Sequence, residues 1–254
     1  MGGWDNRRPD PSPPSVPQNL LAFDTSTERL SAALAWRDAG GARRLEREGP
    51  GGRESSAALI PLAMGLLHEA GLRLSRLDAI VFGQGPGSFT GLRTACAVAQ
   101  GLAWGAGLPV LPVETLMAVA EDARHRSGAT RVLALLDARM DEVYWARYVF
   151  GHGGWQRQGP IALGAPESVQ AGPADEWQAG NAFDLYGGRL PTGRRLPALP
   201  SAGAMLRLAP GLIAAGGAVP ASEAWPLYVR DKVAQTTQER LAARAVVPAP
   251  GAHP

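Results

Sequence analysis

The chain has 254 residues, of which 45% are hydrophobic and 19% are charged, a balance typical of a globular protein with room for one large domain or two modest lobes. The formal net charge is only +2, and the 25 basic residues form no long run, which argues against a surface built to bind nucleic acid directly. The single cysteine, Cys96, excludes an intramolecular disulfide and indicates a reducing cytoplasm. Neither a membrane span nor a secretory signal is visible, so we expect a cytoplasmic location with no membrane partner.

The first half of the chain predicts five strands. Residues 1–19 are rich in proline, and we interpret them as a disordered leader. An N-terminal lobe is expected over residues 20–125, where short apolar runs and polar turns indicate a hairpin, a third strand beside it and two further buried strands. The predicted strands cover residues 20–24, 30–36, 43–48, 79–83 and 110–113.

Three helices are predicted within the same lobe. Apolar residues recur at helical spacing from Ser55, and Gly71 ends that pattern. Pro61 falls inside this helix, where a proline costs a backbone hydrogen bond unless it lies in the first turn. The second helix is predicted at residues 92–104 and the third at residues 115–125.

A shorter C-terminal lobe is expected over residues 126–233, followed by a loose tail at 234–254. The lobe opens with a predicted hairpin whose strands cover 131–137 and 143–150, with a turn at 138–142 between them. Residues 151–200 show little periodicity, and residues 201–215 predict a helix that Pro210 interrupts. Because each half opens with a hairpin and continues into α/β structure, the pattern suggests a repeated architecture, although no sequence repeat is visible.

A glycine-rich segment joins a predicted strand to a predicted helix. Its glycines permit positive φ and close backbone approach, its hydroxyls can bind an anion, and the helix N-terminus adds free N–H groups. The segment lacks both the lysine of a Walker A loop and the third glycine of the dinucleotide fingerprint, so a phosphate loop and a purely structural turn both stay open. The residues concerned are Gly85, Gly87, Ser88, Thr90 and Gly91.

A polar turn, Asp24, Thr25, Ser26 and Thr27, follows the first strand. Asp24 either faces a magnesium-bound phosphate or belongs to a hairpin cap that uses Asp and Thr side chains, and the sequence leaves both interpretations open. The four histidines of the chain include no pair four residues apart, so no zinc site is predicted. We expect neither catalytic nor metal-binding residues.

Several segments of the chain resemble the bacterial TsaB family, also called YeaZ, of tRNA threonylcarbamoyladenosine biosynthesis proteins. The most specific is the string G-P-G-S-F-T-G-L-R at residues 85–93, supported by segments at 21–27, 132–140 and 226–230. The resemblance spans residues 20–233. It implies an α/β fold of the actin-like, ribonuclease H-like type, with two lobes that are each a mixed sheet flanked by helices.

The resemblance implies a partner protein and not an enzyme. The family is similar to the transferase TsaD, which places threonylcarbamoyl on N6 of adenosine 37 in tRNA, and its members bind that transferase together with the ATPase TsaE. The chain would hold no cofactor of its own, would meet ATP or ADP only within the complex, and would contact tRNA only through the complex. The isolated chain would form a homodimer.

Two departures from the related enzymes favour a non-catalytic role. The transferase binds its metal through two helical histidines four residues apart, whereas residues 53–59 contain no histidine, and Ser55 stands where many family members keep one. The second-lobe segment at 178–182 lacks the Gly-Gly-Val-Ala pattern of a working ATPase. The phosphate motifs at 24–26 and 85–91 would then be vestigial.

The resemblance also places the partner contact on the helices predicted at 55–72 and 92–104. Apolar residues on these helices serve either a partner or the core of the lobe, and the sequence leaves the choice open. The candidate contacts are Leu59, Ala63, Leu66, Leu67, Ala97, Gln100 and Trp104.

Two other functions are weaker alternatives. A free-standing actin-fold ATPase or kinase needs a second phosphate loop and an adenosine pocket, and the sequence shows neither. A glycoprotease-type metallopeptidase needs a pair of histidines, which is missing.

Overall fold

A computed structural model describes residues 19–230 of the chain, and within that range it has ten β-strands and five α-helices. The strands are β1 (Leu20–Asp24), β2 (Arg29–Asp38), β3 (Gly41–Pro50), β4 (Ala79–Gly85), β5 (Val110–Glu114), β6 (Arg131–Arg139), β7 (Glu142–Gly151), β8 (Gly154–Gly164), β9 (Trp177–Gly180) and β10 (Arg194–Pro197). The helices are α1 (Ser55–Glu69), α2 (Phe89–Ala106), α3 (Thr115–Ser127), α4 (Phe183–Tyr186) and α5 (Ala202–Ala214).

The first sheet has the strand order β3-β2-β1-β4-β5. Strands β1, β2 and β3 form an antiparallel meander, and β4 and β5 continue the sheet in parallel. The central strand β1 is buried over its whole length, as expected of a continuous apolar run between two covered faces. The edge strand β3 exposes alternating arginines and glutamates, which protects the edge from pairing with another chain.

Helices cover both faces of this sheet. Helices α1 and α2 pack on one face, where Leu59, Ala63 and Leu66 recur at helical spacing in the core around Phe23 and Phe82. Helices α3 and α5 pack on the other face. The first unit is therefore a three-layer α/β/α sandwich, and the apolar spacing of its sequence predicts the helices α1, α2 and α3 of these layers.

The second sheet repeats the topology of the first. Its order is β10-β9-β6-β7-β8, with an antiparallel meander of β6, β7 and β8 and two parallel strands, β9 and β10. The suggestion of a repeated architecture is therefore confirmed, as is the predicted fold class of two actin-like α/β lobes with mixed sheets. The repeat is degenerate in its helices, because α4 has 4 residues where α2 has 18.

In the second half, the structure adds three strands that the sequence did not predict and corrects the expectation at Pro210. Strands β8, β9 and β10 lie in the region that shows little periodicity, because the four-residue strands β9 and β10 are too short to carry a signal and β8 is interrupted by glycines and one proline. Pro210 does not interrupt α5, which continues to Ala214. A mid-helix proline costs about 3 kcal/mol, and here the burial of Met205 and Ala209 against the first sheet offsets that cost.

The chain returns to the first unit after the second sheet. Helix α5 falls within the predicted C-terminal lobe by sequence, yet it packs on the first sheet with α3. The predictions for the leader and the tail lie outside the described residues, apart from Asn19, whose backbone N–H donates to the Asp78 carboxylate over 2.8 Å. None of the helices described is long and apolar enough to cross a bilayer.

Candidate functional site

A cleft of about 460 Å³ separates the two lobes. The carboxyl ends of β1 and β4 lie on one side of it, because these strands are parallel neighbours and end at the same edge of the first sheet. The β6–β7 turn of the second sheet lies on the other side. The polar turn and the glycine-rich loop that the sequence singles out are thereby brought together.

The glycine-rich loop packs directly on the polar turn. The Ser88 backbone N–H donates to the Ser26 carbonyl over 2.7 Å, and the Thr25 hydroxyl donates to the Gly91 carbonyl over 2.6 Å. A Cβ atom on Gly91 would lie 1.8 Å from the Thr25 carbonyl oxygen, and one on Gly87 would lie 2.6 Å from that of Ser26. These two glycines are therefore required for backbone packing whatever the loop binds.

Half of the predicted phosphate-loop residues line the cleft. The lining residues are Ser26, Gly87, Ser88 and Thr90, whereas Asp24, Thr25, Gly85 and Gly91 lie outside the cleft lining. Ser88 caps the N-terminus of α2, and its hydroxyl accepts a hydrogen bond from the Gly91 backbone N–H over 3.4 Å. Binding of a phosphate there stays a prediction.

The Asp24 carboxyl is fully buried at the end of β1. Its Oδ1 accepts hydrogen bonds from the Ser26 backbone N–H over 2.9 Å and from the Ser26 hydroxyl over 2.7 Å. Its Oδ2 has no hydrogen-bond partner among the described residues and lies against Gly83, where a Cβ atom would come within 1.8 Å. Burial raises the pKa of Asp24 to about 6, although the Ser26 bonds partly oppose the rise.

Asp24→Asn is expected to become relatively more stable as the pH rises. The pKa is about 6 in the folded chain against 3.8 for an exposed aspartate, so the contribution of this carboxyl to stability is complete below pH 3.8 and is lost as the pH rises through 6. Between pH 5 and pH 8 the variant should gain on the order of 1 kcal/mol on the parent chain. Thermal melts at both pH values test this, with the exposed Asp38→Asn as a control for removing one charge. Parallel pH profiles for Asp24→Asn and the parent would contradict it.

The cleft contains a turn whose conformation the sequence does not announce. Arg139, Met140 and Asp141 have φ values of 61°, 55° and 62°, a region that non-glycine residues rarely adopt. Two-residue hairpin turns require such angles, but Asn-Gly is the usual sequence signal and is missing here. Arg230 holds the turn by donating to the Ala138 carbonyl over 3.0 Å.

The segment at 226–230, here called the strap, crosses between the lobes. The Leu227 backbone N–H donates to the Gln84 carbonyl over 2.7 Å, and the Tyr228 hydroxyl accepts from the Arg93 guanidinium over 3.0 Å. At its other end Arg230 pairs with Glu142 in the second lobe. In the sequence this segment is recognisable only through the family resemblance. Its position at the cleft could not be predicted, because no local pattern shows where it lies in the fold.

The second candidate site is the outer surface of α1 and α2. Leu59, Ala63, Leu66 and Leu67 are at most 1% exposed, so the structure assigns these four candidate contacts to the core, which is the alternative that the sequence left open. Gln100 is half-buried and donates to the Ala224 carbonyl over 3.0 Å. Ala97 and Trp104 are exposed, as a partner contact requires.

Some of the residues that α1 and α2 present to solvent form an apolar surface, here called the docking face. Ile60 and Met64 on α1 are 46% and 43% exposed, and Trp104 on α2 is 76% exposed. Beside Trp104, α2 carries small residues at four-residue spacing, and a Cβ atom on either glycine of this row would meet nothing within 4 Å. Such a row lets a second helix approach closely. The docking face consists of Ile60, Met64, Ala97, Gly101, Trp104 and Gly105.

Ile60 and Met64 of the docking face were not among the contacts predicted from the sequence. Ile60 and Met64 lie one to three positions from the predicted contacts, on the opposite side of the same helix. Hydrophobicity could not separate the two sides, since α1 is apolar on both. Among the described residues, no group of three or more His, Cys, Asp or Glu side chains could hold a metal ion.

Comparison with known proteins places this architecture among tRNA-modification proteins. The family model for TsaD, tRNA N6-adenosine threonylcarbamoyltransferase, matches residues 50–243. The chain is 39% identical over 227 residues to the tRNA threonylcarbamoyladenosine biosynthesis protein TsaB of Escherichia coli, covering 85% of this chain and 96% of that protein. It is 43% identical over 130 residues to the TsaB protein of Haemophilus influenzae, covering 51% and 53% of the two chains. The solved structure of YeaZ from Pseudomonas aeruginosa superimposes with a TM-score of 0.76 at 42% identity, covering 84% of this chain and 100% of that one.

Proposed function

Because this chain belongs to the TsaB family of tRNA threonylcarbamoyladenosine biosynthesis proteins, we propose that it is the non-catalytic partner subunit of a cytoplasmic tRNA-modification complex. In this proposal a TsaD-like transferase performs the transfer to N6 of adenosine 37, a TsaE-like ATPase assists it, and this chain supports the transferase by binding it. The isolated chain pairs with a second copy through the same surface.

The docking face is the observation that carries the proposal. Large apolar side chains are exposed at Ile60, Met64 and Trp104, and tryptophan and methionine are among the residues enriched in the centres of protein interfaces. The small exposed residues Ala97 and Gly101 on α2 leave room for a helix of another subunit.

The family match supports a TsaD-like subunit as the partner. The model that matches residues 50–243 describes the transferase itself, so the two proteins share the part of the fold that contains α1 and α2. Two subunits with the same helix pair can dock face to face about an approximate two-fold axis, since each then offers the other an equivalent surface.

We propose that this chain needs no nucleotide of its own and reaches tRNA through the transferase. The Asp24 carboxyl, which would have to face a metal-bound phosphate, lies outside the cleft lining. A net charge of +2 supplies little electrostatic attraction to a polyanion.

Reconstitution tests the proposal. The purified chain is mixed with the TsaD-like transferase and the TsaE-like ATPase of the same organism, and transfer from threonylcarbamoyl-AMP to a tRNA transcript is measured with and without the chain. We expect a complex on size-exclusion chromatography and a fall of transfer to background when the chain is left out. Equal transfer without the chain would overturn the proposal, and ATP hydrolysis by the chain alone that Asp24→Ala abolishes would favour a free-standing ATPase.

A further inference from the structure

Residues 218–225, here called the ledge, lie along α2 on the side away from α1. Helix α1 packs over β2 and β3, α2 packs over β4, and Val219 of the ledge pairs with Val110 at the outer edge of β5. Because the strand order is β3-β2-β1-β4-β5, α2 lies between α1 and the ledge. The docking face therefore has two flanks that a partner could also cover.

The ledge is held firmly against α2. The Ala224 carbonyl accepts hydrogen bonds from the Cys96 thiol over 3.4 Å and from the Gln100 amide over 3.0 Å. Ala221 and Ala224 are buried in the same core as α1 and α2. Trp225 follows directly, yet its side chain is not part of that core, and the residue is 70% exposed. Because the backbone next to Trp225 is held in place before a partner binds, less backbone entropy is lost on binding.

The docking face alone is small for a stable interface. Even when every exposed residue of the two helices is counted, α1 offers eight and α2 offers six. A specific interface takes about 20–30 residues from each side. The partner must therefore cover part of at least one flank as well.

The two flanks differ in charge. Beyond α1 lies the edge strand β3, where Arg47 pairs with Glu69 over 2.7 Å and Arg43 pairs with Asp38 over 3.4 Å. The ledge carries one charged residue, Glu223, and the exposed indole of Trp225. Since the buried centres of interfaces are depleted in charge and enriched in aromatic residues, the ledge is the flank that suits burial.

We infer that the TsaD-like subunit covers the ledge together with the docking face, and that Trp225 is a second principal contact beside Trp104. The inference rests on the proposed function and names the extent of its binding surface. The occupant is one subunit of the transferase fold, whose apolar side chains meet the ledge while its helices meet α1 and α2.

Alanine substitution at Trp225 in the full chain tests the inference. Titration calorimetry with the TsaD-like transferase should show binding weakened roughly tenfold or more, as for a central aromatic contact. Leu185→Ala is the matched control, because Leu185 is 61% exposed but lies on α4 beside the second sheet. The affinity of this variant for the transferase should stay within about twofold of the parent chain. Trp225→Phe should recover part of the lost affinity, and thermal melts should agree among all variants.

The outcomes separate the inference from the proposed function. If the parent chain does not bind the transferase at all, the proposed function fails. If Trp104→Ala weakens binding and Trp225→Ala does not, the function stands and the inference is overturned. Light scattering measures the oligomeric state of the isolated chain. If Trp225→Ala abolishes self-association but leaves transferase binding unchanged, the ledge binds a second copy of this chain and the inference is again overturned.

Discussion

A glutamate in place of Gly101 is expected to abolish binding of the transferase and to leave the free chain folded. A side chain at this position meets nothing within 4 Å, and glycine inside a helix is about 1 kcal/mol less favourable than alanine, so the free chain should be as stable as the parent or slightly more stable. In the complex the same carboxylate would be buried without a partner between two helices, at a cost of several kcal/mol. Affinity should fall about 100-fold or more.

Gly211→Glu is the matched control for this variant. Gly211 is also an exposed glycine within a helix, with nothing within 4 Å of a Cβ atom, but it lies on α5 across the first sheet from α1 and α2. For Gly101→Glu, calorimetric titration should show weaker transferase binding and the transfer assay should show less transfer. Gly211→Glu should match the parent chain in both measurements. Equal affinities for the two variants would remove the docking face from the proposal.

Leu66→Ala is expected to destabilise the chain by about 2–5 kcal/mol, the usual cost of emptying a core leucine site. Leu66 of α1 is 1% exposed and packs against the first sheet. Truncation of its side chain therefore leaves a cavity that the neighbouring strands cannot close. At roughly 2–4 °C for each kcal/mol in a chain of this size, the melting temperature should fall by about 5 °C or more.

Met64→Ala on the same helix provides the contrast. Because Met64 is 43% exposed and lies outside the core of the lobe, its truncation should change stability by less than about 1 kcal/mol while weakening transferase binding. Urea denaturation and binding titration on both variants test the assignment. It would be contradicted if Leu66→Ala were as stable as the parent chain, or if Met64→Ala destabilised the chain as strongly as Leu66→Ala.

Local pattern was enough to predict much of the first lobe. The run at Leu20–Asp24 is apolar because β1 is covered on both faces, and the spacing of apolar residues in α1 places that helix correctly from Ser55. The second lobe was harder, since β9 and β10 have only four residues each and a strand that short carries no detectable period. These strands are defined by their pairing with neighbouring strands, which depends on the tertiary structure.

The glycine-rich loop shows a similar division. Its composition predicts a tight, functionally suggestive turn, but only the fold shows that Gly91 and Gly87 touch the backbone of Thr25 and Ser26, residues more than 60 positions away. Likewise, the sequence places Asp24 at a strand end, whereas the burial that raises its pKa comes from the packing of Gly83 and α5 around it.

By itself, the sequence determined the family and the fold class, which follow from motif order, and it predicted the helices α1 and α2, which follow from the periodicity of apolar residues along one segment. Only the tertiary structure decided which side of those helices is free. Leu66 and Met64 are both apolar and lie two positions apart, and it is the sheet beneath α1 that buries one and leaves the other exposed. Trp225 became a candidate contact for the same reason, since burial depends on which distant segments meet and is not encoded at any single position.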